Sequence, residues 1–232
     1  MNFIFTSITK AFKLIISLDP ELFGIIMLSI KVSGAAIIIA TFAGIVITLV
    51  LDLKDFTGKN AAVTVINTFM GLPPVVAGLV LYLLLSRSGP LGFFHLLYTP
   101  WAMVLAQVVL AVPIIAGLSY AAVASADPSL RLSAVTLGAT PLQTTIKVMK
   151  NARYSILAAV LAGLGRVLAE VGAVLIVGGN IAGYTRVMTT AIALEADKGD
   201  FELAVALGII LLLIALTLNG TLFFIQRKKA VR

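Results

Sequence analysis

The sequence predicts an all-α, polytopic membrane protein that crosses the bilayer about five times. Of its 232 residues, 60% are hydrophobic and only 12% are charged, whereas ordinary soluble domains carry about 25% charged residues. The mean hydropathy is +1.12. Such a chain has too few charged side chains to cover a folded surface in water. This excludes a soluble enzyme, a soluble DNA-binding domain and a disordered segment.

Five stretches are apolar enough to form membrane-spanning helices, each of which needs about 20 residues. They lie at about residues 30–51, 61–86, 101–125, 154–178 and 203–225. The first can begin nearer Leu22, and Lys31 would then lie inside the span and extend its ammonium group to the interface. We expect the five stretches to form a single transmembrane domain over residues 1–232.

Two adjacent prolines interrupt the second stretch. Pro73 and Pro74 lack the backbone N–H that a helix interior needs, so they free carbonyl groups and bend the helix. This arrangement suits a gate or hinge, and a static kink is the alternative.

The segment before the first stretch has a different pattern. Apolar residues recur at helical spacing from Ile4 to Ile15, with lysines on other faces. This predicts an amphipathic helix over residues 1–20 that lies in the membrane interface. A frayed terminus is the alternative.

The distribution of Lys and Arg predicts the orientation of the chain. Five spans place the termini on opposite sides, and ten of the seventeen Lys and Arg residues lie on the side of the C-terminus, against five on the other side. Because cytoplasmic loops carry an excess of these residues, we expect the C-terminus and the loop over 126–153 in the cytoplasm and the N-terminus outside. The same bias accounts for the net charge of +7, so nucleic acid is not an expected partner.

The loop over residues 127–142 combines two helix starts with a glycine between them. Asp127 can cap a helix whose first residue is Pro128, and Thr140 followed by Pro141 starts a second helix. Gly138 allows a sharp turn and the close approach of a partner's backbone. A short amphipathic helix pair of this kind can dock into a groove on another protein. A connector that rests on the bilayer is the alternative.

Two parts of the sequence carry a family resemblance. The spacing of Ala134, Gly138 and Val148 resembles the coupling-loop signature of ABC-importer permeases, Glu-Ala-Ala-x3-Gly-x9-Ile-x-Leu-Pro, although Leu132 and Lys150 replace its Glu and its Leu. The runs GLGRVLAEVGA at 163–173, VGGNI at 177–181, GYTR at 183–186 and TTAI at 189–192 are more specific. They are similar to the permeases of tungstate-type ABC importers, which are related to molybdate and sulfate permeases. The resemblance covers about residues 60–225.

The resemblance implies a type I permease that imports an oxyanion, with tungstate first and molybdate or sulfate as alternatives. It implies that two copies of the chain form the pathway, that two ATPase subunits dock on residues 127–150, and that an extracytoplasmic oxyanion-binding protein delivers the substrate. ATP and Mg²⁺ would be bound by the ATPase, and no cofactor is expected on this chain. The residues implied to contact the ATPase are Ala134, Leu137, Gly138, Ala139 and Thr140.

Arg166 and Glu170 are charged residues inside the fourth apolar stretch. Because they are four positions apart, they are predicted to share one face of a helix. Each ionised group costs about 2.5–3.5 kcal/mol at a helix centre in a membrane, so a lipid-facing position is disfavoured. We expect the pair to line or brace the translocation pathway. A buried ion pair that only fixes helix register is the alternative.

The same stretch ends in Gly178, Gly179 and Asn180. Adjacent glycines can present backbone N–H groups to an anion, and Thr185 can cap a helix that starts near Arg186. Together with Pro73 and Pro74, these five residues complete the predicted pathway and gate. We expect only weak oxyanion contacts here, because an importer must release its substrate. An ordinary helix stop followed by an external loop is the alternative.

Missing motifs exclude other functions. The nearest match to a phosphate-binding loop, at Gly58-Lys59-Asn60, lacks both the leading glycine and the hydroxyl residue, so this chain is not expected to be the ATPase or another enzyme. His95 is the only histidine and there is no cysteine, so no metal site is expected. A stand-alone secondary transporter is the alternative from another class, and the few spans and the lack of an internal repeat stand against it.

Overall fold

The computed structural model describes residues 8–9, 12–13, 16–17 and 19–230, with side chains described as far as Leu218. Over residues 19–230 there are ten α-helices and one short 3-10 helix at Gly92–Phe94. The α-helices are α1 (Pro20–Leu53), α2 (Lys59–Met70), α3 (Pro74–Leu85), α4 (Pro100–Ala124), α5 (Pro128–Thr136), α6 (Pro141–Asn151), α7 (Arg153–Leu168), α8 (Gly172–Gly178), α9 (Met188–Lys198) and α10 (Phe201–Ala230). The predicted all-α class is confirmed. Most of the interfacial helix predicted over residues 1–20 lies outside the described residues.

Among the described residues, three helices are long and apolar enough to cross a membrane without a break, namely α1, α4 and the Phe201–Leu218 part of α10. Helix α1 begins at Pro20 because the Asp19 carboxylate accepts hydrogen bonds from the N–H groups of Glu21 and Leu22, both at 3.0 Å. Lys31 therefore lies inside α1, where its side chain is exposed.

The other two apolar stretches are each broken into two helices, as we predicted for the stretch with Pro73 and Pro74 but not for the stretch over 154–178. A break over residues 71–73 separates α2 from α3, and a break over 169–171 separates α7 from α8, with a bend of more than 40° at each. If each bent pair is one span, the chain has the five spans expected. Pro73 and Pro74 account for the first break, since Pro74 is the first residue of α3 and neither proline can donate to a preceding turn. The second break contains no proline.

The chain divides into two compact units. The first comprises the described residues of Met1–Ala36, Pro73–Gln107 and Leu168–Arg232. Within it α3 packs against α8 and α9 packs against α10. One buried apolar cluster of this unit joins residues of α1, α9 and α10, namely Leu22, Ile25, Met188, Ala191, Ala206 and Leu207.

The second unit comprises Ile37–Leu72 and Val108–Val167. Its helices approach closely at Ile115 of α4, which is completely buried. A Cβ atom placed on Gly44 or on Gly163 would lie 2.7 Å from a side-chain carbon of Ile115. Glycine at these two positions therefore permits close helix packing.

Candidate functional site

Helices α5 and α6 form a capped helical hairpin, which we call the coupling hairpin. The Asp127 carboxylate accepts a hydrogen bond from the Ser129 N–H at 2.8 Å, and Pro128 begins α5. This bond lowers the pKa of Asp127, so the cap stays ionised at neutral pH and is lost only in acid. At the start of α6, Thr140 Oγ1 accepts from the Gln143 N–H at 3.4 Å, and Gln143 Oε1 accepts from the Thr140 N–H at 2.9 Å. Both predicted helix starts are confirmed.

The turn of the coupling hairpin exposes large apolar side chains. Leu137 is 87% exposed, Leu132 70% and Val135 60%. Gly138 has a φ of +81°, in the left-handed region that favours glycine, and this allows the sharp turn that we predicted. A continuous apolar surface on so short a helix pair is suited to burial against another protein. Of the other predicted coupling residues, the structure leaves Thr140 exposed and partly buries Ala134 and Ala139.

A bidentate ion pair attaches α5 to the end of α1. Arg131 Nη1 donates to Asp52 Oδ2 at 3.0 Å, and Arg131 Nη2 donates to Asp52 Oδ1 at 2.6 Å. The Asp52 side chain is only 6% exposed. Because the planar guanidinium fits the carboxylate with two parallel bonds, the pair fixes orientation as well as charge. The sequence identified Arg131 only as a loop charge.

Glu170 lies in the break between α7 and α8 and is 2% exposed. Its Oε1 accepts a hydrogen bond from the Ala173 N–H at 2.9 Å, and its backbone carbonyl accepts one from Thr189 Oγ1 at 2.7 Å. In a continuous helix, the Ala173 N–H would bond to the carbonyl of Ala169. The carboxylate takes over that N–H, which is how a polar side chain can end one helix and start another.

The prediction that Arg166 and Glu170 share one helix face is therefore wrong. Helix α7 ends at Leu168, so Glu170 lies beyond it. Arg166 is half-buried on the last turn of α7. The roles of both residues in transport stay predictions.

Contact between α3 and α8 brings the start of α3 next to the Glu170 break. A Cβ atom on Gly172 would lie 3.0 Å from Val75 Cγ2, and one on Gly78 would lie 2.7 Å from the Cα of Ala173. Val75 directly follows Pro74, the first residue of α3. Pro73 and Pro74 thus belong to the same neighbourhood as Glu170.

The loop after α8 bonds mainly to itself. The Gly179 N–H closes the last turn of α8, while the N–H groups of Tyr184, Thr185 and Arg186 all donate to the carbonyl of Ile181, at 3.1, 2.9 and 3.0 Å. We expected the adjacent glycines to present N–H groups to an anion, but the Gly179 N–H already donates to the Leu175 carbonyl at 2.9 Å. Gly179 itself has a φ of +71°.

Thr185 does not cap the following helix, contrary to our prediction. It is 1% exposed, and its Oγ1 donates to the Gly178 carbonyl at 2.6 Å and accepts from the Ile181 N–H at 2.9 Å. Helix α9 starts at Met188 instead, where Ser29 Oγ of α1 accepts the Met188 N–H at 2.8 Å. Thr185 therefore fixes the end of α8.

Replacing Thr185 with Val should destabilise the protein. Valine has nearly the same shape but can neither donate to Gly178 nor accept from Ile181, and a buried backbone group left unpaired costs about 1–3 kcal/mol. We expect a lower unfolding temperature in detergent for Thr185→Val, while Thr185→Ser, which keeps the hydroxyl, should stay close to the parent. Equal unfolding temperatures for the Val variant and the parent would contradict this role.

Asn180 and Arg186 are both engaged within the chain. Asn180 Nδ2 donates to the Thr190 carbonyl at 3.3 Å. Arg186 Nη1 lies 3.4 Å from Glu21 Oε1 and 3.9 Å from Glu195 Oε1, and the Glu195 side chain is 7% exposed. Glu195 Oε1 also pairs with Lys198 Nζ at 2.9 Å, so Arg186 shares that carboxylate with Lys198, and an oxyanion at Arg186 would have to compete with Glu21 and with the shared Glu195.

A polar cavity that we did not predict from the sequence lies in the first unit between the end of α3 and the start of α4. It has a volume of about 570 Å³ and is lined by Tyr82, Leu85, Ser86, Arg87, Gly92, His95, Leu97 and Tyr98. We call it the Arg87 cavity. One signal could have indicated it, since the sequence has no Asp or Glu between Asp55 and Asp127. The described residues include no group of three or more His, Cys, Asp or Glu that could hold a metal ion.

Comparison with known proteins identifies the family. The family described as "Binding-protein-dependent transport system inner membrane component" matches residues 40–230. A "Probable anion ABC transporter permease protein" of Haloferax volcanii is 47% identical over 204 residues, covering 86% of this chain and 88% of the relative. "Tungstate uptake system permease protein TupB" of Peptoclostridium acidaminophilum is 38% identical over 228 residues, covering 98% and 100%.

Solved structures show the same fold. The crystal structure of a bacterial ABC transporter involved in the import of the acidic polysaccharide alginate matches with a TM-score of 0.73 at 20% identity, over 89% of this chain and 79% of that one. The apolar helices agree with these matches. The chain belongs to the binding-protein-dependent transport system inner membrane component family and is a multi-pass permease subunit of an ABC importer.

Proposed function

We propose that this permease subunit carries a tetrahedral oxyanion into the cytoplasm and that tungstate is its preferred substrate. The observation that carries the choice of tungstate is the 38% identity with a tungstate uptake permease over 98% of this chain. The similarity to a probable anion permease supports the broader class. Molybdate and sulfate are the alternatives, since all three are tetrahedral dianions. Tungstate and molybdate have nearly the same size and charge, so the binding protein would discriminate between them.

The coupling hairpin is the proposed docking site for the ATPase. Two copies of the chain would form the pathway, and an ATPase subunit would cover the exposed Leu132, Val135 and Leu137 of each copy. Burying apolar side chains stabilises such a contact by about 25 cal/mol per Å² of apolar area. The Gly138 turn lets the backbone of the partner approach closely.

The bonds of α1 support a route from the ATPase toward the pathway. Movement of the coupling hairpin would act on α1 through the Arg131–Asp52 pair. The same helix carries Ser29, whose hydroxyl accepts the N–H of Met188 at the start of α9. ATP-driven closure of the ATPase subunits would thus move the spans between inward-open and outward-open states, and Glu170 would brace the α7–α8 break as they move.

The orientation follows from charge. We place the C-terminus and the coupling hairpin in the cytoplasm, where the ATP is, and the N-terminus outside. The loops after α3 and α8 then lie on the outer side, where a binding protein delivers the oxyanion. Arg186, balanced by Glu21 and Glu195, would bind an anion only weakly, which suits a pathway that must release its cargo.

Purification in detergent tests this function. We expect the chain to co-purify with an ATP-binding subunit in equal amounts, and we expect ATP hydrolysis to rise when tungstate-loaded binding protein is added. Adding molybdate- or sulfate-loaded binding protein instead ranks the substrates. A chain that purifies without an ATPase and transports in response to an ion gradient would identify a secondary transporter and contradict the proposal.

A further inference from the structure

The loop that forms the Arg87 cavity folds back on itself. The Leu91 N–H donates to the carbonyl of Leu84 at 2.9 Å, which folds the loop back onto the end of α3. A Cβ atom on Gly92 would collide with the carbonyl of Ser86, so the loop packs against itself without space for a larger residue. These contacts bring the backbone on either side of Arg87 close to the end of α3.

The polar lining of this cavity consists of groups that can donate to an anion. Arg87 supplies a permanent positive charge, and its side chain is exposed. His95 adds a ring N–H and Tyr82 a phenol O–H, whereas the Ser86 hydroxyl already donates to the Leu83 carbonyl at 3.0 Å; no carboxylate is among the lining residues. Within the described residues no carboxylate forms an ion pair with Arg87. This separates it from Arg186, which has Glu21 and Glu195 beside it.

Two of the lining residues have strained backbones. His95 has a φ of +52° and Tyr98 a φ of +62°, values that non-glycine residues rarely adopt. Two contacts hold the Tyr98 backbone in this conformation. Its N–H donates to the Val177 carbonyl at 2.9 Å, and its ring packs against Gly179, where it occupies the space that a side chain would need. Strained residues that the surrounding structure holds in place cluster at binding sites. Here the strain turns two aromatic residues toward the same cavity.

Tyr98 lies beside Tyr82 in the lining of the cavity. A hydrogen bond between the two hydroxyls raises the pKa of Tyr98 above its usual value. The two rings meet edge to face, with centroids 6.4 Å apart. One of the two O–H groups is engaged in this bond, so the pair has one neutral O–H donor left beside the charge of Arg87.

We propose that the Arg87 cavity is an entry site that binds the tetrahedral oxyanion, still partly hydrated, before it enters the pathway. This rests on the proposed function, which places the cavity on the outer side and names the cargo. The volume of about 570 Å³ exceeds what one such ion needs. Since a water molecule occupies about 30 Å³, the ion can enter with several waters. Arg87 supplies the charge, and the hydroxyl and imidazole groups orient the oxygens.

Cysteine labelling of the complete transporter in detergent tests the entry site, because the chain has no native cysteine. Ser86→Cys places a thiol in the cavity, and Ser125→Cys, at the other end of α4, is the control. We expect tungstate to slow labelling of Ser86→Cys by an anionic methanethiosulfonate reagent and to leave Ser125→Cys unchanged. Adding Arg87→Gln should remove the protection and slow the anionic reagent about tenfold relative to a neutral one, because the local field is lost.

Three controls make the outcome specific. Arg87→Lys keeps the charge and should keep part of the protection, whereas Lys54→Gln removes an exposed charge far along the sequence and should change nothing. Protection that survives Arg87→Gln would overturn the proposal. So would protection that appears only when phosphatidylglycerol is added, since the ligand would then be a lipid phosphate.

Transport separates this inference from the function on which it rests. If the parent complex imports tungstate but tungstate gives no protection at Ser86→Cys, the entry site is wrong and the proposed function stands. If the parent complex imports no oxyanion, the proposed function fails whatever the labelling shows.

Discussion

Replacing Gly138 with Val will separate the ATPase subunits from this permease and abolish transport. Gly138 has a φ of +81° in the turn of the coupling hairpin. A side chain in the left-handed region costs about 1–2 kcal/mol per residue, and more for a β-branched one. Apart from Gly138 itself and its two neighbours, no atom of the described residues lies within 4 Å of the position that a Cβ would take. The damage would therefore come from the changed turn and from a clash with the partner, not from crowding inside the hairpin.

Gly138→Asn is the matched control, because asparagine tolerates positive φ better than other non-glycine residues. We expect Gly138→Val to reduce both co-purification of the ATPase and transport by about tenfold or more, since 1.4 kcal/mol corresponds to a factor of ten. If Gly138→Asn restores both, the backbone conformation matters. If it restores neither, the close approach of the partner matters. Normal co-purification and transport in Gly138→Val would contradict the docking role.

Glu170→Ala should reduce transport strongly because it removes the carboxylate that starts α8. The Ala173 N–H would lose its acceptor in a site where Glu170 is only 2% exposed. An unpaired buried donor costs about 1–3 kcal/mol, which is enough to let the α7–α8 break change shape. We expect transport to fall about tenfold or more while the subunits still assemble, as 1.4 kcal/mol changes an equilibrium tenfold.

Glu170→Gln separates the two roles of this residue. Glutamine keeps an acceptor oxygen for the Ala173 N–H but loses the charge, so we expect it to retain assembly and most of the transport. Transport by Glu170→Gln as low as by Glu170→Ala would show that the charge itself is needed. Asp197→Ala, which removes an exposed carboxylate of α9, is the control and should behave like the parent. Normal transport in Glu170→Ala would contradict the bracing role.

Local rules predicted the coupling hairpin correctly from the sequence. Asp127 with Pro128 and Thr140 with Pro141 start helices through bonds to residues two or three positions away, so the signal is complete in a few letters. Gly138 likewise indicated the turn, because the need for glycine at a positive φ is also a local property of the sequence. The Arg131–Asp52 pair could not be predicted in this way, because it joins residues 79 positions apart.

The pathway residues were harder to predict, because their side chains bond to backbone groups that would otherwise bond within a helix. The apolar run over 154–178 has no proline, and periodicity alone cannot show that the Glu170 carboxylate would take the Ala173 N–H. Thr185 looked like a cap for the next helix, but its partner is the carbonyl of Gly178, seven residues earlier. The Arg87 cavity depends on two strained residues, His95 and Tyr98, whose backbone conformations no residue pattern indicates.

Uptake of tungstate into proteoliposomes tests the central claim most directly. The liposomes would contain this permease with its ATPase subunits, ATP would be supplied on the side of the coupling hairpin, and tungstate-loaded binding protein on the other side. We expect uptake only when ATP, ATPase and binding protein are all present, and none when hydrolysis is blocked. Tungstate uptake that persists without the ATPase and follows an ion gradient would contradict the assignment of this chain as the permease of an ATP-driven oxyanion importer.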